Sequence, residues 1–402
     1  MDLIIDIFNY SLVAILIGIC GTWIFLIKSM TDSFRLTPYL DKFKNTSKTN
    51  PKVSIILPAR NEEEFIGKCL DSLIKQDYEN YEIIVIDDSS EDSTGEIISE
   101  YAKKNPKIIP VSAKPKPEGW IGKNWACMEG YKKATGELLL FTDADTKHAQ
   151  NVITLAVSHL NTFSLDALSA IPKMATFDFW TNITLPMIST FLHTRFSALN
   201  VNNPKKKTGY FFGSFFILKK STYEEIGMHE GVKQEIIEDG ALGKKVKELG
   251  YKIKMVRAEH LIEAVWARDK VTLWNALKRL MVPLYLQSGK IAIGIFFAIV
   301  FLLFAPFPIF ASSVALSVET ISAKMLCVTS AVTSILIYIG AIVEVKIGLG
   351  LKLRYALFAP LGSLVVVLGF LSGLLQAKRT SAVTWRGRSY SMKDHSQSSI
   401  SV

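Results

Sequence analysis

The sequence predicts an α/β domain with a mostly parallel, doubly covered sheet, carried between transmembrane helices. Three observations predict it. Hydrophobic residues make up 49% of the 402, and they crowd into the two ends of the chain. The middle alternates short apolar strands with helical patterns, the order that builds a parallel sheet. Acidic residues stand where those strands end, and ligands of such sheets bind beyond the strands' carboxyl ends.

The first apolar run, Leu3 to Ile27, exceeds the roughly 20 residues needed to cross a bilayer. It starts almost without positive charge and ends in Lys28 and Arg35, the reverse of a cleavable leader. It reads as a retained anchor over 1–28 with the following domain in the cytoplasm. A Lys/Asn/Thr-rich linker fills 29–52. The α/β domain runs over 53–267, with strands at Val53–Leu57, Glu82–Ile86 and Leu138–Phe141. Helical periodicity marks Glu62–Gln76 and Asp92–Lys104. Ile183–Leu199, broken by Pro186, His193 and Arg195, reads as an interfacial helix, and 268–290 as an interfacial segment. Three more runs, Ile291–Val318, Met325–Val343 and Tyr355–Ala377, are each long enough to span and make 291–377 a transmembrane region. The first contains Pro306 and Pro308, which kink or break it. A basic tail occupies 378–402. Four spans place that tail outside, whereas its charge favours the inside; a doubled-back first run resolves the conflict.

The net charge of +9 gathers beside the apolar runs, at Lys28, Arg35, Lys346, Lys352, Arg354, Lys378 and Arg379. That placement suits anionic headgroups, and no basic-aromatic reading motif points to nucleic acid. Cys20, Cys69, Cys127 and Cys327 have no spacing of a disulfide framework or zinc site, which fits a reducing, cytosol-facing domain.

Three acidic sites carry chemistry. After the first strand come Pro58-Ala-Arg-Asn-Glu62, and after the second Asp87-Asp88-Ser-Ser90. A carboxylate there can accept from a uracil N–H or a ribose hydroxyl; Asp88 and Ser90 serve equally as caps of the next helix. Asp143 and Asp145 close a third strand, and alternation points residues i and i+2 the same way. Such hard oxygen ligands with open positions suit Mg²⁺ or Mn²⁺ bridging a diphosphate, and a solvated turn is the plainer alternative. Glu238 and Asp239 open a helix, where either carboxylate can take a proton from an acceptor hydroxyl or simply favour the helix start. Lys123 is a candidate point charge for phosphate. His260 is either an added metal ligand or a structural histidine.

In this order, Val53-Ser-Ile-Ile-Leu-Pro-Ala-Arg-Asn-Glu62, Asp87-Asp88, Asp143-Ala-Asp145 and Ile237-Glu-Asp239 resemble the family 2 glycosyltransferases over about Val53–Trp266. The resemblance implies a GT-A, Rossmann-like domain and an inverting transfer from a nucleotide-diphosphate sugar, of the UDP-sugar type. Pro58, Glu62 and Asp88 would line the nucleotide pocket. Asp143 would meet ribose or metal, Asp145 would bind the metal, and Asp239 would be the base. Gly119-Trp-Ile-Gly-Lys-Asn-Trp-Ala126, the tail Val383–Tyr390 and the span layout are similar to ceramide glucosyltransferases and to enzymes that glycosylate hopanoids or carotenoid acids. A membrane lipid is the acceptor this implies. The family's Arg-Trp element after the base is reduced here to Arg279-Leu280. Arg279 can still reach the diphosphate, whereas the missing Trp speaks against a polysaccharide synthase. A polyprenyl-phosphate sugar synthase and a catalytically silent membrane scaffold are the other readings, and three intact carboxylate sites weigh against the scaffold.

Overall fold

The computed structural model describes residues 2–42, 50–316, 319–380, 382–385 and 388–391. It begins with one long helix, Asp2–Leu36 (α1), which continues eight residues past Lys28. The helix stops where Pro38 disfavours helical backbone in the residue before it.

Strands and helices then alternate as β1 (Val53–Ala59), α2 (Ile66–Leu73), β2 (Tyr81–Asp87), α3 (Thr94–Lys104), β3 (Ile108–Ser112), α4 (Gly122–Tyr131) and β4 (Leu138–Phe141). Next come β5 (Thr146–His148), α5 (Val152–Thr162), β6 (Ala167–Ile171), β7 (Lys173–Ala175), α6 (Phe179–Arg195) and α7 (Ala198–Asn202). The domain ends through β8 (Phe216–Lys219), α8 (Lys220–Glu225), α9 (Glu238–Glu248), β9 (Ile253–Arg257) and β10 (Ile262–Val265).

Seven strands form one sheet in the order β3-β2-β1-β4-β8-β6-β9. β1 pairs in parallel with β2 and β4, whereas β8 runs antiparallel to β4 and β6. The uninterrupted apolar runs of β1, β2 and β4 follow from burial on both faces. Alternation divides them. Ile55, Leu57, Ile83 and Val85 pack with Leu70 and Leu73 of α2. Ile56, Ile84, Ile86, Leu139 and Phe141 face the other core with Phe211 and Phe216. Each such aliphatic side chain contributes roughly 1.5–3 kcal/mol on burial. The smaller sheet β5-β10-β7 lies beside the main one in sequence and joins β4's exit to the segment before the C-terminal helices.

Those helices are α10 (Lys270–Gln287), α11 (Gly289–Ile299), α12 (Pro306–Leu316), α13 (Ile321–Val343) and α14 (Ala359–Thr380). A hairpin of β11 (Ala382–Trp385) and β12 (Arg388–Ser391) follows, so the described part of the basic tail is the last turn of α14 and a pair of strands. Among the described residues three helices can cross a membrane by length and composition: Leu3–Leu36, Ile321–Gly348 and Leu353–Arg379. The first apolar run after the domain is bent by 56° between Phe304 and Pro306, a broken span or a re-entrant loop. Pro306 accounts for the break, because its ring cannot continue the preceding turn.

Of the two segments expected to lie at the interface, the one at 183–199 is instead internal. α6 buries Thr181, Asn182, Thr184, Ser189, Thr190 and His193 along with Ile183, Leu185 and Met187. A helix buried on several sides presents no apolar stripe to a membrane surface. It is pressed against α14 so closely that a Cβ on Gly362 would stand 2.0 Å from the Ile183 carbonyl oxygen. Small residues permit that approach between helices in an apolar medium. Arg257 at the end of β9 ties the domain to both neighbouring helices. It donates to the Phe34 carbonyl at 2.8 Å and to the Ile347 carbonyl at 3.1 Å.

Candidate active site

The loops after β1 and β2 are laced together. Arg60 Nη1 donates to the Asp88 carbonyl at 2.7 Å, the Asp88 N–H donates to the Ala59 carbonyl at 2.8 Å, and the Glu62 N–H donates to Thr94 Oγ1 at 2.7 Å. Asn61 and Ser89 adopt φ of 53° and 56°, a left-handed conformation that Asn tolerates better than most residues. Pro58 sits in β1 opposite Ile86, and both Glu62 and Asp88 are buried. Strand β1 and the sharp turns after β1 and β2 thus bring all three expected nucleotide-pocket residues to the carboxyl end of the sheet.

Lys123, in the first turn of α4, organises a second group. Its Nζ stands 2.7 Å from Asp143 Oδ1 and 2.7 Å from Glu238 Oε1. Its neighbour Asn124 is buried and donates to the carbonyls of Val232 at 2.8 Å and Glu235 at 3.0 Å. Those bonds hold the approach to α9 against α4, which sets Glu238 and Asp239 beside Lys123. A Cβ built on Gly213 would stand 2.9 Å from Asp239 Oδ2, 3.3 Å from Lys123 Nζ and 3.4 Å from Asp143 Oδ2. Three polar groups therefore converge on one point, and only a residue without a side chain leaves it open.

Burial pushes the Asp239 carboxyl up to about 7, reinforced by the neighbouring Glu238 charge and opposed by Lys123. Burial works against the Lys123 ammonium, yet the Asp143 and Glu238 carboxylates hold its pKa well above the usual lysine range. Asp239 is consequently a carboxyl poised between acid and base near neutrality, next to a permanent cation.

A third group was not foreseen. Arg268, just before α10, pairs with Glu62 Oε2 and stands 3.9 Å from Asp145 Oδ2, with its guanidinium over the Phe65 ring at 4.5 Å. β4 ends at Phe141, so Asp143 and Asp145 lie on a turn, beyond the reach of strand alternation. One carboxylate faces Lys123 and the other faces Arg268. Among the described residues no group of three or more His, Cys, Asp or Glu side chains gathers as a metal cluster. Two hard carboxylates nonetheless fit Mg²⁺ or Mn²⁺, which takes one or two from protein and the rest from phosphates and water.

Arg279 is half-buried on α10, nine residues beyond the helix start at Lys270, or about 14 Å along the axis. Arg268 stands beside the Glu62 and Asp145 carboxylates. His260 pairs with Asp41 Oδ2 at 2.8 Å and stacks on Tyr39, which gives it a structural place at the chain's entry into the domain. Tyr210, stacked on Phe196, lies 2.9 Å from where a Cβ on Gly240 would be and so backs the first turn of α9. The sequence signal for Gly213 and Tyr210 was the Gly-aromatic run Gly209-Tyr-Phe-Phe-Gly213; Arg268 had none.

Residues 54–227 match the family described as Glycosyl transferase family 2. This segment is a family 2 glycosyltransferase domain. It runs from β1 through α8, and Glu238, Asp239 and Arg268 lie beyond its matched end. A 4,4'-diaponeurosporenoate glycosyltransferase of Staphylococcus haemolyticus is 29% identical over 50% of this chain and 53% of its own. A probable glycosyltransferase of Bacillus subtilis is 28% identical over 54% of this chain and 52% of its own. The chain thus spans about half the length of these curated relatives. The solved mannosyltransferase of Pyrobaculum calidifontis, in complex with GDP-Man and Mn²⁺, superposes with a TM-score of 0.54 at 17% identity. That match covers 90% of this chain and 99% of the other, and it establishes a shared GT-A fold around the glycosyltransferase domain.

Proposed function

We propose that this chain transfers a sugar, with inversion, from a nucleotide-diphosphate sugar of the UDP-sugar type to a hydroxyl of a membrane lipid. One observation carries the reading: Asp239, with its carboxyl near 7, converges with Lys123 and Asp143 on the open point at Gly213. The acceptor oxygen attacks the anomeric carbon, its proton passes to the Asp239 carboxylate, and the bond from that carbon to the diphosphate oxygen breaks. The nucleoside diphosphate leaves on the face opposite the attack. Lys123 contributes fixed positive charge, and Asp143 and Glu238 keep it protonated and in place. Pro58, Glu62 and Asp88 line the nucleotide side. Asp145, with Asp143, would hold Mg²⁺ or Mn²⁺, which when bound supplies positive charge to the leaving diphosphate.

Support for the donor class comes from the Pyrobaculum enzyme solved with GDP-Man and Mn²⁺. Support for an apolar acceptor comes from relatives named for diaponeurosporenoate and from the helices long enough to span. The Lys28 and Arg35 flank puts the domain on the cytoplasmic side in this proposal. The test supplies membranes containing the protein with radiolabelled UDP-sugars and, in parallel, GDP-sugars, followed by identification of the labelled lipid. Label in a lipid glycoside of inverted configuration is the expected result. Label on a polyprenyl phosphate, on a polymer or on nothing would sink the proposal.

A further inference from the structure

Apart from the carboxylates, one concave surface stands out. A cleft of about 420 Å³ opens where the first turn of α6 meets the stretch 353–358 that leads into α14, lined by Phe177, Phe179, Tyr355 and Phe358 with Arg354 and Asp178 among its polar groups. Its volume falls within the range of small-molecule sites, roughly 300–1,000 Å³. Phe179 meets Phe358 edge-on at 5.0 Å, and Leu353, Leu357 and Phe358 are exposed at the start of a helix long enough to span. The cleft therefore sits where an apolar span emerges.

Its polar groups are not equivalent. Asp178 is spent on capping α6, accepting from the Thr181 N–H at 3.0 Å and the Thr181 hydroxyl at 2.6 Å. Arg354 lies over the Tyr355 ring at 5.3 Å and, among the described residues, makes no ion pair. One exposed wall, at Phe177, leads toward the site. Phe177 contacts Phe65 with centroids 6.3 Å apart, and Phe65 lies under Arg268, which holds Glu62 and faces Asp145. Because Phe177 lines the cleft, the Phe65 ring and the Arg268 guanidinium are what stand between it and the Glu62 and Asp145 carboxylates.

We propose that this cleft receives the apolar chain of the acceptor lipid, and that Arg354 pairs with an anionic group, carboxylate or phosphate, on that lipid. The inference rests on the lipid-acceptor reading above and adds the acceptor's charge and its seat. The chain lies along Phe179 and Phe358, and the acceptor reaches the sugar past Phe177 and Phe65.

The test uses the full chain in lipid nanodiscs with a diazirine-bearing stearic acid and the matching stearyl alcohol, photolysed without donor and mapped by peptide mass. The acid should label residues 177–182 and 353–358 about tenfold more than the alcohol, the size of one charged hydrogen bond. Arg354→Gln should bring acid down to the level of alcohol, and Phe358→Trp, which fills the cleft, should reduce both. Equal labelling of unaltered protein by acid and alcohol, or acid label confined to other segments, would overturn the proposal. Displacement of the acid by phosphatidylglycerol, with lipid glycosylation unaffected by Phe358→Trp, would assign the cleft to a resident phospholipid and overturn the acceptor role. Specific labelling with no transfer from any nucleotide sugar would leave the anionic-lipid site standing and remove the activity reading instead.

Discussion

Arg268 pairs with the buried carboxylate of Glu62, although 206 positions separate them in the chain. The pair fastens the segment entering α10, and with it the C-terminal helices, to the loop after β1. Removing one partner of a buried pair leaves the other charge uncompensated, at a cost of about 3–5 kcal/mol. Arg268→Gln should therefore lower the thermal unfolding temperature in detergent markedly, and Glu62→Gln in the same chain should recover much of the loss. A double variant as unstable as the sum of the two singles would show that the pair is not coupled.

Gly213 gives a second prediction. A methyl group there would stand 2.9 Å from Asp239 Oδ2 and 3.3 Å from Lys123 Nζ, so Gly213→Ala must displace groups placed for chemistry. Overpacking of this kind typically costs about 1–3 kcal/mol, which the fold tolerates. Turnover should fall at least about tenfold while the unfolding temperature moves only a few degrees. Full activity in Gly213→Ala would mean that the converging point is not where reaction occurs.

How much of this site was legible depends on distance along the chain. β1, β2 and β4 announce themselves because burial on both faces demands unbroken apolar runs, and the carboxylates after them mark the loops. Lys123 is visible within Gly119–Ala126, a stretch that carries the resemblance. Arg268 is not, because nothing local tells a reader that the residue before α10 folds back onto Glu62; the family pattern directs attention to Arg279 instead. The same holds for α6, whose interrupted apolar pattern suggested a surface position. Its Thr, Ser and His side chains are buried because α1, α13 and α14 surround it, with Ser189 donating to Glu344 at 2.9 Å. Alternation also misleads at Asp143 and Asp145, since the strand has already ended at Phe141.

The Asp145 carboxylate faces the Arg268 guanidinium at 3.9 Å, and in the proposal Asp145, with Asp143, would hold a divalent metal that supplies positive charge to the leaving diphosphate. Transfer should collapse in EDTA and return with Mn²⁺ or Mg²⁺. Asp145→Asn keeps the side chain's size and removes its charge, and should weaken metal activation by about 10–100-fold. Undiminished transfer by the Asn variant in excess chelator would remove the metal from the proposal.

Asp239 makes the most discriminating prediction. A base must be ionised to accept a proton, so with a carboxyl near 7 the rate should climb with pH up to about 7 and then level. Asp239→Asn should lose about 10²–10⁴-fold in rate together with that acidic limb, while donor affinity stays nearly unchanged. Stability should move in the opposite sense. Between the ordinary carboxyl value of 3.8 and about 7 the native state holds a proton on Asp239 that the unfolded chain has released. The group's contribution is thus fully present below 3.8 and is lost as pH rises through about 7. Asp239→Asn carries no such titration, so relative to the unaltered protein it should gain stability above pH 7 even as it loses activity. A purely structural role predicts lower stability with unchanged rate per folded molecule. A phosphate acceptor, already ionised, predicts near-normal transfer by the Asn variant. Rate, donor binding and unfolding temperature, measured from pH 5 to 9 on the one variant, separate these outcomes, and near-normal transfer would take both Asp239 and the hydroxyl acceptor out of the mechanism.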